Sequence, residues 1–225
     1  MEAFFVVGIG PGDPDYLIPR ARAVIEDSHT LVGAPRHLAL FRGLGKEEVV
    51  LTGSFRGAFE RIRRRAPEER ISVLVSGDPG LYSLLGLISA QFPRQEYRVI
   101  PGVSSVQLAA AQTGRPWQED RVINIHGRPL EDLEPVLAES RRSFVLTDRE
   151  NSPARAARWL MERGAGDRAV TIAERLSYAD ERVTETSLVE LSRGEESEEK
   201  SPSKEEPWRA DLCVMIIEGA CTASG

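Results

Sequence analysis

Three short apolar runs, each stopping at a glycine loop, constrain this chain more than any other feature. Residues 4–9 (FFVVGI) run into Gly8-Ile9-Gly10-Pro11-Gly12-Asp13. Residues 71–77 (ISVLVSG) run into Ser76-Gly77-Asp78-Pro79-Gly80, and residues 97–100 (YRVI) into Pro101-Gly102-Val103-Ser104-Ser105. Runs of this length, rich in β-branched residues and closed by glycine, read as buried strands. Helical patterns alternate with them: 15–27, 35–41, 55–65, 80–91 and 104–113, with further strands at 29–33 and 48–51. Strand–helix alternation predicts a mostly parallel sheet covered by helices on both faces.

Gly114-Arg115-Pro116-Trp117 breaks that rhythm and is read as the domain boundary, giving units of 1–114 and 115–225. Two small domains suit a length of 225 residues. The second half opens with a strand at 121–126, then a helix near 131–139, a strand at 142–147 and a helix at 153–163. Strands follow at 169–176 and at 181–186, the latter expected to pair antiparallel with the former, and a last buried strand at 212–218. A mixed sheet results. Trp117 is read as a packing residue.

Charge narrows the function. The net charge is −6, of which −4 falls in residues 194–206 (GEESEEKSPSKEE). That stretch is expected to be a peripheral loop, because its composition cannot bury enough apolar area to offset ordering. The rest is near neutral, which argues against a nucleic-acid binder. No apolar stretch approaches the length of a membrane span, and the N-terminal run has neither a basic flank nor a cleavage site. Two cysteines make neither a disulfide framework nor a thiolate zinc site. A cytoplasmic location without a catalytic metal is the default expectation.

The first glycine loop tempts a dinucleotide reading, but the spacing is Gly-x-Gly-x-Gly rather than Gly-x-Gly-x-x-Gly. Asp13 would repel a pyrophosphate, Gly33 stands where a ribose-binding acid would be needed, and no phosphate-loop lysine occurs. Each loop could also be an ordinary strand-to-helix turn, with Pro79 and Pro101 stopping strands and Ser104 capping a helix. Three such loops at the carboxyl ends of parallel strands nevertheless lie where open α/β sheets bind ligands.

The runs GIGPGDPDYLIPRA, SGDPGLYS, PGVSSVQLAAAQTGRPW, HGRP (126–129) and AERLSYADERV (173–183) resemble the tetrapyrrole methylase family. Within it the resemblance is to the enzymes that methylate C5 of a corrin precursor in cobalamin biosynthesis. It implies a two-domain α/β fold binding S-adenosyl-L-methionine, with methyl transfer to an electron-rich meso carbon. It also implies cofactor contacts at Pro11, Gly77, Asp78, Leu81, Ser104, Ser105, Thr147 and Leu176, with Gly10 and Gly12 facing the tetrapyrrole. Arg36, His37 and Arg128, beside strand ends, are candidates for the substrate's carboxylates, since arginine binds carboxylates in bidentate fashion. A base for the meso proton is sought first in Asp13, which could equally be a turn carboxylate, and second in His126, which could be a packed strand-end imidazole. A homodimer, and association with a separate decarboxylating C15-methyltransferase, are further expectations of the resemblance. Other readings are a family member acting at a different position or in the diphthamide pathway, a non-catalytic tetrapyrrole-binding subunit, and a dinucleotide oxidoreductase.

Overall fold

A computed structural model describes residues 4–51, 55–65, 69–138, 141–194 and 213–219. The acidic run beyond Gly194 therefore lies outside the described residues. The chain divides into two compact units, Met1–Ser105 and Val106–Gly225.

In the first unit the strands are β1 (Phe4–Gly8), β2 (Thr30–Gly33), β3 (Glu47–Val50), β4 (Ile71–Val75) and β5 (Tyr97–Ile100). The helices are α1 (Pro19–Asp27), α2 (Pro35–Ala39), α3 (Arg56–Arg65) and α4 (Leu85–Gln91). The sheet is parallel throughout, in the order β3-β2-β4-β1-β5. Successive side chains point to opposite faces, so Phe4, Val6, Val32 and Val73 pack against Phe59 and Ile62 of α3 and Ile88 of α4. Val7, Leu31 and Leu74 pack on the other face, against Ala21 and Ile25 of α1 and Leu38 of α2. Ser72, buried in mid-strand, is satisfied by Ser28, whose hydroxyl lies 2.7 Å away. At the sheet edge, Glu47 on β3 pairs with Arg61 and Arg65 of α3. Charge on an edge strand discourages pairing with another chain.

Connections leaving β1 and β2 run over the α1–α2 face, and those leaving β3 and β4 run over the α3–α4 face. The neighbours β2 and β4 thus send their chains to opposite sides. Their carboxyl ends flank a topological switch point, where a crevice forms.

Helix α5 (Ser105–Thr113) begins on the last residue of the first unit, and the second unit goes on with β6 (Arg121–Asn124), α6 (Glu134–Ala138), β7 (Ser143–Leu146) and α7 (Pro153–Glu162). It continues with β8 (Ala169–Glu174), β9 (Arg182–Ser187), α8 (Leu188–Gly194) and β10 (Cys213–Ile217). The order is β6-β7-β10-β8-β9; β6 and β7 are parallel, β10 is antiparallel to both neighbours, and β9 is antiparallel to β8 as expected. Its core joins Ile123, Val145, Ile172 and Met215 to Ala156 and Leu160 of α7 and Leu188 and Leu191 of α8. Trp117 packs edge-on against Phe144, with ring centroids 6.2 Å apart.

The elements depart from the sequence reading in three places. The helix expected over 15–27 begins only at Pro19, after a short 3-10 turn over Pro14–Tyr16. Proline biases the preceding Ile18 to an extended backbone, so the helix cannot run through it. The helix expected from Gly80 begins at Leu85, because Tyr82 takes φ +48° and breaks the turn. Helix α8 was not anticipated; its short amphipathic run directly follows β9. Among the described residues no helix is long and apolar enough to cross a membrane.

Candidate functional site

Glycine makes the first unit's loops possible. A Cβ on Gly8 would stand 2.6 Å from the Gly77 carbonyl oxygen and 2.7 Å from the Gly102 nitrogen. One on Gly102 would stand 2.2 Å from that same oxygen. The ends of β1, β4 and β5 therefore touch main chain to main chain, with room for no side chain between them. Gly10 and Gly77 form an isolated bridge, the Gly77 amide donating to the Gly10 carbonyl at 2.9 Å. Both take positive φ, +77° and +61°, which glycine adopts without strain.

Asp78 ties two loops together. Its Oδ1 accepts the Gly80 amide at 2.7 Å and its Oδ2 the Gly102 amide at 3.1 Å. The carboxylate thereby holds the β4 and β5 loops in register. Leu81 follows, its amide bonded to the Asp78 carbonyl. A Cβ on Gly77 would stand 3.4 Å from the Cα of the buried Ser104, so the two loops approach closely here. Pro11 and Gly12 continue from Gly10. Asp13 caps the 3-10 turn, its Oδ1 accepting the Asp15 amide at 2.8 Å. Beside this loop a cavity of about 180 Å³ is lined by Ile9, Gly12, Pro14, Leu17, Arg22 and Phe41, among others.

At the neighbouring strand ends, Arg36 and His37 on α2 meet Ser76. The His37 Nε2 lies 2.7 Å from the Ser76 hydroxyl, and Arg36 donates from Nε to His37 and from Nη2 to Ser76, each at 3.2 Å. Burial first, and the Arg36 charge second, lower the His37 pKa to about 4, against a weak opposite pull from the Leu74 carbonyl. The imidazole is neutral at neutral pH.

The second unit gathers its candidates at one sheet edge, beyond the carboxyl ends of β6, β7 and β8. His126 bonds through Nδ1 to the Thr147 carbonyl at 3.3 Å. Thr147 is buried and its hydroxyl bonds to the Cys213 carbonyl. Asp148 accepts the Gly127 and Asn151 amides, both at 2.6 Å. Burial works to raise the Asp148 pKa, but those amides and the nearby His126 outweigh it and hold the carboxyl below its ordinary value. Asn151 donates to the carbonyls of Ile125 and Arg128, which fixes the HGRP loop. Arg128 itself is exposed and sits 3.8 Å from Asp132. Leu176 is buried in a turn flanked by Arg175 at φ +49° and Ser177 at φ +75°. Those two and Tyr82 are the non-glycine residues of positive φ among the described ones, and each adjoins an expected cofactor contact, Leu81 or Leu176. Strained backbone of this kind clusters at ligand sites. Burial pushes the Cys213 thiol up to about 12, so it is no nucleophile.

Sequence reasoning placed Ser76 in the second glycine loop but gave it no role, and passed over Asp148 and Asn151. Their signal was position alone: Ser76 directly follows β4, and Asp148 and Asn151 lie in the loop between β7 and α7.

The three glycine loops of the first unit (8–13, 76–82 and 101–105) contain two carboxylates and no lysine or arginine. A pyrophosphate would be held poorly there.

The chain belongs to the tetrapyrrole (corrin/porphyrin) methylases, whose family profile matches residues 3–192. It is 34% identical over 178 residues to a cobalt-precorrin-7 C(5)-methyltransferase of Salmonella typhimurium, covering 79% of this chain and 87% of that one. Among solved structures, the cobalamin-biosynthetic precorrin-6Y methylase from Archaeoglobus fulgidus superposes with a TM-score of 0.69 at 21% identity, covering 96% of this chain and 97% of that one. A uroporphyrin-III C-methyl transferase from Thermus thermophilus, solved with S-adenyl homocysteine, gives 0.70 at 21% identity, covering 96% and 91%.

Proposed function

We propose that this chain transfers a methyl group from S-adenosyl-L-methionine to the C5 meso carbon of a precorrin or cobalt-precorrin in cobalamin biosynthesis. The observation that carries the reading is the loop set of the first unit, three glycine-built strand ends with carboxylates and no cation, in a chain of the methylase family. The resemblance to the Salmonella relative supports the C5 position.

S-adenosyl-L-methionine, when bound, supplies an electrophilic methyl group. The chain supplies position and dryness. On this reading Pro11, Gly77, Leu81, Ser104 and Ser105 would hold the cofactor largely through main-chain groups, and the family resemblance adds Thr147 and Leu176 as further contacts. Asp78 acts at one remove, by fixing the loops that make the contacts. Gly10 and Gly12 would face the tetrapyrrole, whose meso carbon, nucleophilic through conjugation with ring nitrogens, would take the methyl group in line as the methyl–sulfur bond breaks and S-adenosylhomocysteine leaves. Once the carbon–carbon bond has formed, the meso proton leaves to a base. Asp13 is one candidate for it, although one oxygen is committed to its own turn. His126 is the other, oriented by the Thr147 carbonyl. A cytoplasmic homodimer working with a separate decarboxylating C15-methyltransferase completes the picture; its support is the family resemblance.

Isothermal calorimetry with S-adenosylhomocysteine and with NAD tests the cofactor. Micromolar binding of the first and no measurable binding of the second are expected. Mass spectrometry of corrin intermediates incubated with protein and S-adenosyl-L-methionine should show the gain of one methyl group in place of a hydrogen. NAD binding without a response to S-adenosylhomocysteine would overturn the reading.

A further inference from the structure

We infer that Arg36, His37 and Ser76 form a receptor for one carboxylate arm of the substrate, with the Arg36 guanidinium as the binding group and the other two as its positioning pair. The ligand's identity rests on the methylase reading; the geometry lies wholly within the first unit.

Location comes first. The three residues stand at the carboxyl ends of β2 and β4, the switch point at which the chain leaves toward opposite faces of the sheet. Ser76 directly precedes Gly77, so the receptor adjoins the loop assigned to the cofactor.

Positioning without neutralisation is the central observation. Arg36 donates through Nε to an imidazole nitrogen and through Nη2 to a hydroxyl oxygen. Neither acceptor carries charge. Among the described residues no carboxylate pairs with Arg36, whereas Arg70, Arg115, Arg142 and Arg182 each have an acidic partner. Two neutral acceptors hold one edge of the guanidinium, and the Nη1 edge is left for a ligand on an exposed side chain.

His37 Nε2 accepts from Arg36, so the ring proton sits on the buried Nδ1, on the side of the Leu74 carbonyl, without a hydrogen bond of good geometry. Ser76 accepts from Arg36 Nη2, and its own hydroxyl donates to His37 Nε2 at 2.7 Å, so that nitrogen's single lone pair is shared between the hydroxyl and the Arg36 Nε–H. This order needs a neutral imidazole, which the lowered pKa supplies. The receptor then carries a single positive charge on a planar fork, matched to one carboxylate. A phosphate dianion would call for further donors.

The test uses the full chain and uroporphyrin I, an octacarboxylate tetrapyrrole, titrated by its fluorescence. The wild-type protein should bind it, and Arg36→Gln should weaken binding about tenfold or more, the range for a hydrogen bond to a charged group. Ser76→Ala should weaken it about threefold, and Ser76→Thr, which keeps the hydroxyl, should restore it. S-adenosylhomocysteine affinity should stay within about twofold in all three variants, as should melting behaviour, because Arg36 and Ser76 are exposed. In a proton NMR titration, the His37 imidazole, assigned by its loss in His37→Gln, should move upward in pKa once Arg36 is neutralised. Unchanged uroporphyrin affinity in Arg36→Gln overturns the receptor, as does a wild-type protein that ignores uroporphyrin. Failure to bind S-adenosylhomocysteine instead strikes the methylase reading and leaves the porphyrin comparison to decide the receptor.

Discussion

Gly102 shows how little freedom one residue can have. Its Cβ position is blocked by the Gly77 carbonyl oxygen and by the Gly8 backbone, within 3 Å in each case. Backbone at the end of β1 and in the loop leaving β4 cannot step aside as a flexible side chain would. Gly102→Ala should therefore cost about 2–3 kcal/mol of stability, the upper range for overpacking. It should also weaken S-adenosylhomocysteine, because the β1, β4 and β5 loops must part. Gly57 near the start of α3 is the internal control: a Cβ there meets nothing within 4 Å. Gly57→Ala should gain about 0.5–1 kcal/mol from helix propensity alone. Urea denaturation of both variants checks the contrast, and equal effects would show that the glycine floor is not close-packed in solution.

At the scale of elements, the approach to β6 is locked to the start of β7. Arg142, with a side chain 6% exposed, pairs with Asp120 at 11% and also donates to the Pro116 carbonyl at 2.9 Å. Removing one member of a buried pair strands the other charge, so Arg142→Met should cost about 3–5 kcal/mol. The double change Arg142→Met with Asp120→Leu should recover most of that loss, since an apolar pair of similar volume needs no partner. A double variant no more stable than the single one would show that Arg142 acts through Pro116 instead. The pairing was not legible in the sequence, where both residues looked like ordinary surface charges. The start of α1 at Pro19 was legible in principle, because proline at the first helical position is a common opening.

For the whole molecule, the order of the second sheet matters most. Strand β10 lies at its centre, bonded to β7 on one side and β8 on the other, yet it is separated in sequence from both. All five of its residues are buried. Deleting residues 213–225 would leave two unpaired strand edges and remove Met215 and Ile217 from the core. The second unit should lose its cooperative unfolding transition, while the first, whose sheet is complete by Ile100, keeps native signals in a two-dimensional NMR spectrum. Native dispersion throughout would show that β6, β7, β8 and β9 can close without the central strand.

What the sequence determined by itself is local. FFVVG, ISVLV and YRVI had to be buried strands because their β-branched and aromatic residues suit a pleated, covered surface, and the glycines after them had to be turns. The alternation with helices then left a parallel sheet as the economical arrangement, and the loop motifs carried the family. Tertiary structure decided what those loops touch. Asp78, which the family resemblance makes a cofactor contact, reaches the Gly102 amide 24 residues away. Ser76 meets His37 from 39 residues away, because β2 and β4 are neighbours in space and not in sequence. Strand order depends on how two helical layers share the faces of one sheet, and that is a property of packing which no window of residues contains.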